Sequence, residues 1–120
     1  MPAAKDSLKE RLARYRELTI SVTGRKSGRT ISLPVWFVLE GDTLYLLPVH
    51  GSDTQWYKNI LQNPEMGIAA RDKKGKFHAT LVNDRKTVES VVEKFREKYT
   101  ATDVKKYYSK FDVAVTIQLD

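Results

Sequence analysis

The chain has 120 residues, 41% hydrophobic and 30% charged, a length suited to one domain over 1–120 and a balance that excludes a disordered or fibrous polymer. With no cysteine and two scattered histidines, His50 and His78, disulfides and thiolate metal sites are excluded and no metal site is expected. Lys and Arg number 21 against 15 Asp and Glu, a net charge of +6, which favours an anionic partner: nucleic acid, an acidic membrane surface or a phosphorylated small molecule.

The N-terminal stretch MPAAKDSLKERLARYREL is charged where a signal peptide is apolar, which predicts a cytoplasmic protein, and the apolar run LPVWFVL falls far short of a bilayer span. Leu8, Leu12 and Tyr15 recur at helical spacing and predict an amphipathic helix over about 5–16. From Leu18 the period becomes two. Leu18, Ile20 and Val22 form one face of a first strand, and Gly24 to Arg29 form the loop that ends it.

A second strand begins at Thr30, with Ile31, Leu33, Val35, Phe37 and Leu39 on one face. The other face starts polar at Ser32 and turns apolar through Pro34, Trp36 and Val38, so both faces require cover. Gly41-Asp42 predicts a two-residue hairpin turn into a third strand, LYLLPV. Ser52 or Asp53 then caps a short helix through TQWYKNILQN, which Asn63-Pro64 terminates. MGIAAR and KFHATLV predict a fourth and fifth strand joined at DKKG.

Asn83 or Asp84 caps a longer helix, whose Val88, Val91, Val92, Phe95 and Tyr99 follow the three-and-four pattern. A short helical turn over 103–109 leads to FDVAVTIQL, a sixth strand with Val113, Val115, Ile117 and Leu119 on one face. Six mostly antiparallel strands with two or three flanking helices make an α+β protein. Its sheet is expected to curl or close, since closure protects the edges of so small a sheet.

The residues at 23–38, TGRKSGRTISLPVWFV, hold the main chemical signal. Glycines at both ends let the backbone turn with positive φ and let a ligand approach the main chain. Arg25, Lys26, Ser27 and Arg29 add donors suited to a phosphate or carboxylate. The spacing is not that of a Walker loop, and a strand follows instead of a helix. The plainer reading is a polar hairpin tip. Against it stand Trp36 on the adjoining strand and a second stretch, PVHGSDTQWYKN, in which Trp56 and Asn59 share a helical face. A donor loop beside aromatic walls suits a ligand with a charged tail and a flat ring.

Together, TGRKSGRTISLPVWFV, GDTLYLLPV and WYKNILQNP resemble the deazaflavin-dependent nitroreductase and quinone reductase family over residues 18–64, and more loosely to the C-terminus. The resemblance implies the split β-barrel fold of flavin-reductase-like proteins, a homodimer, and coenzyme F-420 as cofactor, with relatives that use FMN or other flavin-type and tetrapyrrole-type ligands. By that resemblance Arg25, Lys26, Ser27 and Arg29 grip the phosphate and acidic tail. Pro34, Val35 and Trp36 line the ring, and Trp56 and Asn59 close its other flank.

Two departures stand out. Val49-His50-Gly51-Ser52 replaces a lysine and double glycine common among members, so the expectation is that one anion contact is weaker or passes to His50, beside Gly51, when its ring is protonated. Lys110-Phe111-Asp112-Val113 stands where members enter the last strand through an arginine and a proline.

The implied activity is hydride transfer from a reduced deazaflavin to a small organic acceptor, a quinone, nitro or enone compound. The cofactor's ring carries that chemistry, so no catalytic triad is required. Tyr107 and Tyr108, near the tyrosines that line the substrate side in relatives, are the candidate catalytic residues, with Ser27 or water as other proton sources. FMN is the alternative cofactor. A basic nucleic-acid-binding module and a cofactor-free dimeric scaffold are the alternative classes, and no helix-turn-helix, zinc-finger or ribonucleoprotein signature supports the first. His78 alternates with Phe77 and Ala79 on a strand and reads as a surface residue.

Overall fold

The computed structural model describes residue Leu8 and residues 10–71 and 73–119. Six strands, β1 (Glu17–Thr23), β2 (Thr30–Glu40), β3 (Thr43–Leu46), β4 (Glu65–Ala70), β5 (Lys73–Val82) and β6 (Ala114–Gln118), close into a barrel in the order β1-β2-β3-β6-β5-β4. Every neighbouring pair is antiparallel, including β1 with β4, which seals it. The alternation in the sequence sets the inside. Leu18, Ile20 and Val22 from β1, Met66 and Ile68 from β4, and Val115 and Ile117 from β6 fill one buried cluster.

Besides the helical residues at the N-terminus, three helices pack on the barrel: α1 (Gln55–Gln62), α2 (Arg85–Tyr99) and α3 (Ala101–Tyr107). Helix α1 sends Trp56, Tyr57 and Ile60 into the barrel cluster. Helix α2 is capped by Asp84, whose carboxylate accepts from the Thr87 amide, and it lays Val88, Val91, Val92, Phe95 and Tyr99 on a second cluster outside the barrel with Val38, Leu47 and Ala114. Burial of those five side chains contributes on the order of 10 kcal/mol before entropy. Both faces of β2 thereby gain the cover their apolar residues require. Of the N-terminal helix expected over about 5–16, Leu8 and residues 10–12 are helical, and Leu8 and Leu12 are buried against the barrel interior; the remainder up to residue 7, with residue 9, lies outside the described residues.

Four local expectations are corrected. Helix α1 is preceded by Thr54 rather than by Ser52 or Asp53, because Gly51–Asp53 form a 3-10 turn. The β4–β5 connection turns at Arg71, with φ 63°, so the DKKG lysines and Gly75 belong to β5. Helix α3 occupies Ala101–Tyr107 rather than 103–109, starting at Thr100, whose side chain accepts from the Asp103 amide. In the loop after β1 only Gly28 has positive φ, 73°. Gly24 is needed for closeness instead, since a Cβ there would lie 2.9 Å from Ser27 Oγ and 3.1 Å from Ile31 Cδ1.

The long strand β2 positions the site. Its residues 30–36 pair with β1, and its residues 37–40 pair with β3. Where β1 ends, the Tyr99 hydroxyl takes over, accepting from the Phe37 amide at 3.1 Å and lying 2.8 Å and 2.6 Å from the carbonyls of Phe37 and Arg16. The β3-facing edge of residues 30–36 has no strand beside it among the described residues. A cavity opens there.

Candidate functional site

The cavity has a volume of about 600 Å³ and lies between the first half of β2, helix α1 and the end of α3. Ile31, Leu33 and Val35 supply an apolar side, and Pro34, Trp36, Trp56 and Tyr108 add rings. Trp36 is held from behind: it stacks on Tyr99 at 4.2 Å with 5° between the planes, and Tyr107 meets it edge-on at 5.5 Å. Parallel stacking of this kind fixes an aromatic plane in place.

Two polar handles open onto this space. Trp56 and Tyr108 are buried, and among the described residues neither the Trp56 indole N–H nor the Tyr108 hydroxyl has a hydrogen-bond partner, yet no deeply buried side-chain N or O atom goes unsatisfied. Both atoms therefore reach accessible space, and both residues line the cavity. Burial pushes the Tyr108 hydroxyl well above the ordinary phenol range, with proximity to Tyr99 adding to the effect, so the group stays protonated. Tyr107 is 53% exposed and sits at the rim.

The cationic loop stands beside this cavity rather than in its wall. Arg25 ties it to α1: its amide donates to Asn59 Oδ1 at 3.1 Å, its guanidinium donates to the same oxygen at 2.8 Å, and Nη2 donates to Gln55 Oε1 at 2.9 Å. Gln55 and Asn59 both line the cavity. Within the loop, the Gly28 amide donates to the Gly24 carbonyl, the Gly24 amide to the Arg29 carbonyl and the Arg29 amide to Ser27 Oγ. Those bonds leave the amides of Lys26 and Ser27 without acceptors among the described residues. Two successive N–H groups without acceptors, flanked by the exposed side chains of Lys26 and Arg29, offer donors suited to an anion.

Of the residues singled out from the sequence, Pro34, Val35, Trp36, Trp56, Asn59, Tyr107 and Tyr108 come together around one cavity. Lys26, Ser27 and Arg29 lie on the exposed loop next to it, while Arg25 faces α1. His50 and Gly51 belong to a neighbouring knot. The His50 ring is 2.8 Å from Ser109 Oγ, and Gly51, at φ 56°, presses against Lys110 and the Asp112 carboxylate. That carboxylate accepts from the Ser52 amide and hydroxyl, which hold it below the ordinary carboxylate range despite the opposing effect of partial desolvation. His78 is exposed on β5.

The sequence reading did not single out Glu17, Gln55 or Tyr99. Gln55 had a signal, since it stands four residues before Asn59 and shares its helical face. Tyr99 had none beyond its place in the apolar stripe. Burial raises its hydroxyl to about 12, with the Phe37 backbone and Arg16 opposing the rise. Among the described residues no group of three or more His, Cys, Asp and Glu side chains suits a metal, and no helix is long and apolar enough to cross a membrane.

The sequence matches the family model for F420H(2)-dependent quinone reductase over residues 4–120. No curated protein matches it. Among solved structures, an F420-H2 dependent reductase (FDR-A) is 19% identical, with 86% of this chain and 94% of that one covered and a TM-score of 0.67. A protein solved as a domain-swapped dimer is 18% identical over 97% of this chain and all of its own length, 100%, with a TM-score of 0.68. HutZ, the heme storage protein from Vibrio cholerae, is 15% identical, with coverage of 98% and 90% and a TM-score of 0.71. At these identities the three structures establish the barrel fold.

Proposed function

Because the chain belongs to the F420H(2)-dependent quinone reductase family, with coenzyme F-420 as cofactor, we propose that it catalyses hydride transfer to a small organic acceptor such as a quinone, nitro or enone compound. The residues present fit that cofactor. A flat deazaflavin ring suits the apolar, aromatic cavity of about 600 Å³, within the usual range for small-ligand sites, and a phosphate suits the free amides and cations of the loop. When bound, the reduced coenzyme supplies a hydride, which an acceptor such as a quinone takes up with a proton.

The chain's own contribution is placement. Lys26, Ser27 and Arg29 hold the acidic end, and Arg25, tied to Asn59 and Gln55, keeps their loop against α1. Val35, Trp36 and Trp56 set the plane of the ring and exclude water around it. The Tyr108 hydroxyl, kept protonated by burial, donates a hydrogen bond toward charge that develops on the acceptor. His50 and Gly51 serve the turn that positions α1. We read the protein as a homodimer, in keeping with the relative solved as a domain-swapped dimer, and light scattering of the purified chain tests this.

The observation that carries this reading is the loop with two free amides locked onto the same helix that walls an aromatic cavity. The test is a titration of the purified chain with F-420 and with FMN, followed by tryptophan fluorescence, since Trp36 and Trp56 line the cavity. Saturable quenching by F-420 is expected. Quenching by FMN alone overturns the cofactor assignment, and quenching by neither leaves a cofactor-free scaffold as the better description.

A further inference from the structure

A second groove adjoins the cavity and shares Glu17, Pro34 and Trp36 with it. It has a volume of about 630 Å³, and Arg14, Arg16 and Arg71 line it together with Tyr15, Pro34 and Trp36. Among the described residues none of these three guanidiniums pairs with a carboxylate. Instead Arg16 sits over the Tyr99 ring at 4.9 Å, and Arg71 sits over the Tyr15 ring at 4.7 Å. Among the described residues Glu17 is the one carboxylate in the lining. Burial lowers the Lys98 ammonium to about 8, and the charge of Arg16 adds to the effect.

Arg71 reaches the groove from the β4–β5 turn. Its φ of 63° places a long charged side chain in the left-handed region, where glycine or asparagine sits at lower cost. The two-residue connection between the paired Ala70 and Lys73 calls for that conformation. It sets Arg71 at the lining of the groove.

The register fixes how the groove relates to the cofactor loop. On the β1–β2 hairpin the loop lies beyond the pair Thr23 and Thr30, while the groove lies at the pair Glu17 and Trp36. Six residue steps along a strand separate these ends by about 20 Å. A cofactor whose acidic end were held at the loop would have the cavity beside Trp36 for its ring, and the groove adjoins that cavity at Trp36. Resting on the reading of the loop and cavity given above, we propose that the arginine groove binds an anionic substituent of the electron acceptor, so that the preferred acceptors are flat compounds bearing a carboxylate, sulfonate or phosphate.

The test uses the whole chain and two probes with one nucleus, anthraquinone-2-sulfonate and 2-(hydroxymethyl)anthraquinone, with binding measured by calorimetry with and without F-420. The sulfonate is expected to bind at least about tenfold more tightly, as one well-placed charged hydrogen bond provides, with the preference shrinking as salt rises. A triple variant, Arg14→Gln, Arg16→Gln and Arg71→Asn, loses the preference and keeps its affinity for the neutral probe within twofold. Asparagine tolerates the turn at 71. The corresponding triple lysine variant keeps most of the preference and controls for folding.

Equal affinity for the two probes in the parent chain, or a preference that survives the uncharged variant, overturns the proposal. So does a variant that weakens F-420 with its glutamate tail but not a tail-less form, because the groove then takes the tail. If F-420 fails to bind while the sulfonate preference stands, the cofactor reading falls and the organic-anion groove remains. If F-420 binds and the preference is absent, only the groove assignment falls.

Discussion

Replacing Asn59 with alanine tests how the loop is held. Asn59 is 4% exposed and its Oδ1 accepts both the Arg25 amide at 3.1 Å and the Arg25 guanidinium at 2.8 Å. A neutral hydrogen bond contributes about 1 kcal/mol and a charge-assisted one about 1.5–3 kcal/mol. Water can reach the partly exposed guanidinium in the variant, which returns part of this, so a net loss of about 2 kcal/mol in loop anchoring is expected. If binding requires the anchored loop, F-420 affinity falls about 30-fold, since each 1.4 kcal/mol is a factor of ten. The Gln55 contacts at 2.9 Å and 3.4 Å keep the loop from detaching completely. Asn59→Asp keeps the accepting oxygen and adds a charge opposite Arg25, so it should restore most of the affinity. The assay is fluorescence titration of the parent, Arg25→Ala, Asn59→Ala and the double variant. Because Asn59 acts through Arg25, the double variant should lose little more than either single one. Additive losses, or an Asn59→Ala variant that binds within threefold of the parent, would refute this account.

Other expectations concern stability. Tyr99→Phe removes the acceptor of the buried Phe37 amide and should cost about 2 kcal/mol, a fall in Tm of about 5–10 °C for a chain this size, read by calorimetry. Gly51→Ala combines a φ of 56° with a Cβ that collides with the Asp112 carboxylate and lies 3.1 Å from Lys110 Cβ. It should lower the urea midpoint by an amount equivalent to at least about 2 kcal/mol; a midpoint at the parent value would mean that the 3-10 turn adjusts freely. Lys98 is held at about 8 against an ordinary 10.5, so the unfolded chain binds more protons between these values and stability rises with pH across that window. Tyr99 is raised to about 12 from 10, so stability falls as pH climbs through that range. Denaturation at stepped pH should therefore find a maximum near pH 9–10, and Lys98→Met should remove the rise on its acid side.

Much of the barrel was legible because its strands alternate cleanly. Leu18, Ile20 and Val22, and Val113, Val115, Ile117 and Leu119, point inward as their spacing requires. The apolar second face of β2 correctly demanded cover, and the Val88-to-Tyr99 stripe provides it. Turn positions were less legible. The β4–β5 turn was expected at DKKG, yet it falls at Arg71, since a residue that bends against its own preference leaves no local trace. The same limit applies to Arg25, which has the composition of an anion ligand but bonds to residues 30 and 34 positions away. Only the fold could reveal that pairing. Trp36 shows the opposite case, in which its strand position was plain while its partner Tyr99 lay hidden inside a helical stripe.

The stagger of β2 explains why chemistry collects at this place on the barrel. A strand of 11 residues that changes neighbours between Trp36 and Phe37 leaves one edge unpaired on each side of the change. Unpaired backbone inside a protein carries a cost unless another group satisfies it. On the Phe37 side the Tyr99 hydroxyl and the Lys98 ammonium do so, the latter donating to the Phe37 carbonyl at 2.8 Å. On the other side the edge borders a cavity open to solvent. The two solutions meet at Trp36, whose ring is stacked against Tyr99 and also borders both the cavity and the arginine groove. Disturbing Tyr99 should therefore reach both sites through one ring. Tyr99→Phe keeps the stack and should bind F-420 nearly as the parent does, whereas Tyr99→Leu frees Trp36 and should weaken F-420 and anthraquinone-2-sulfonate together. Loss of one without the other would show that Trp36 does not couple the two spaces.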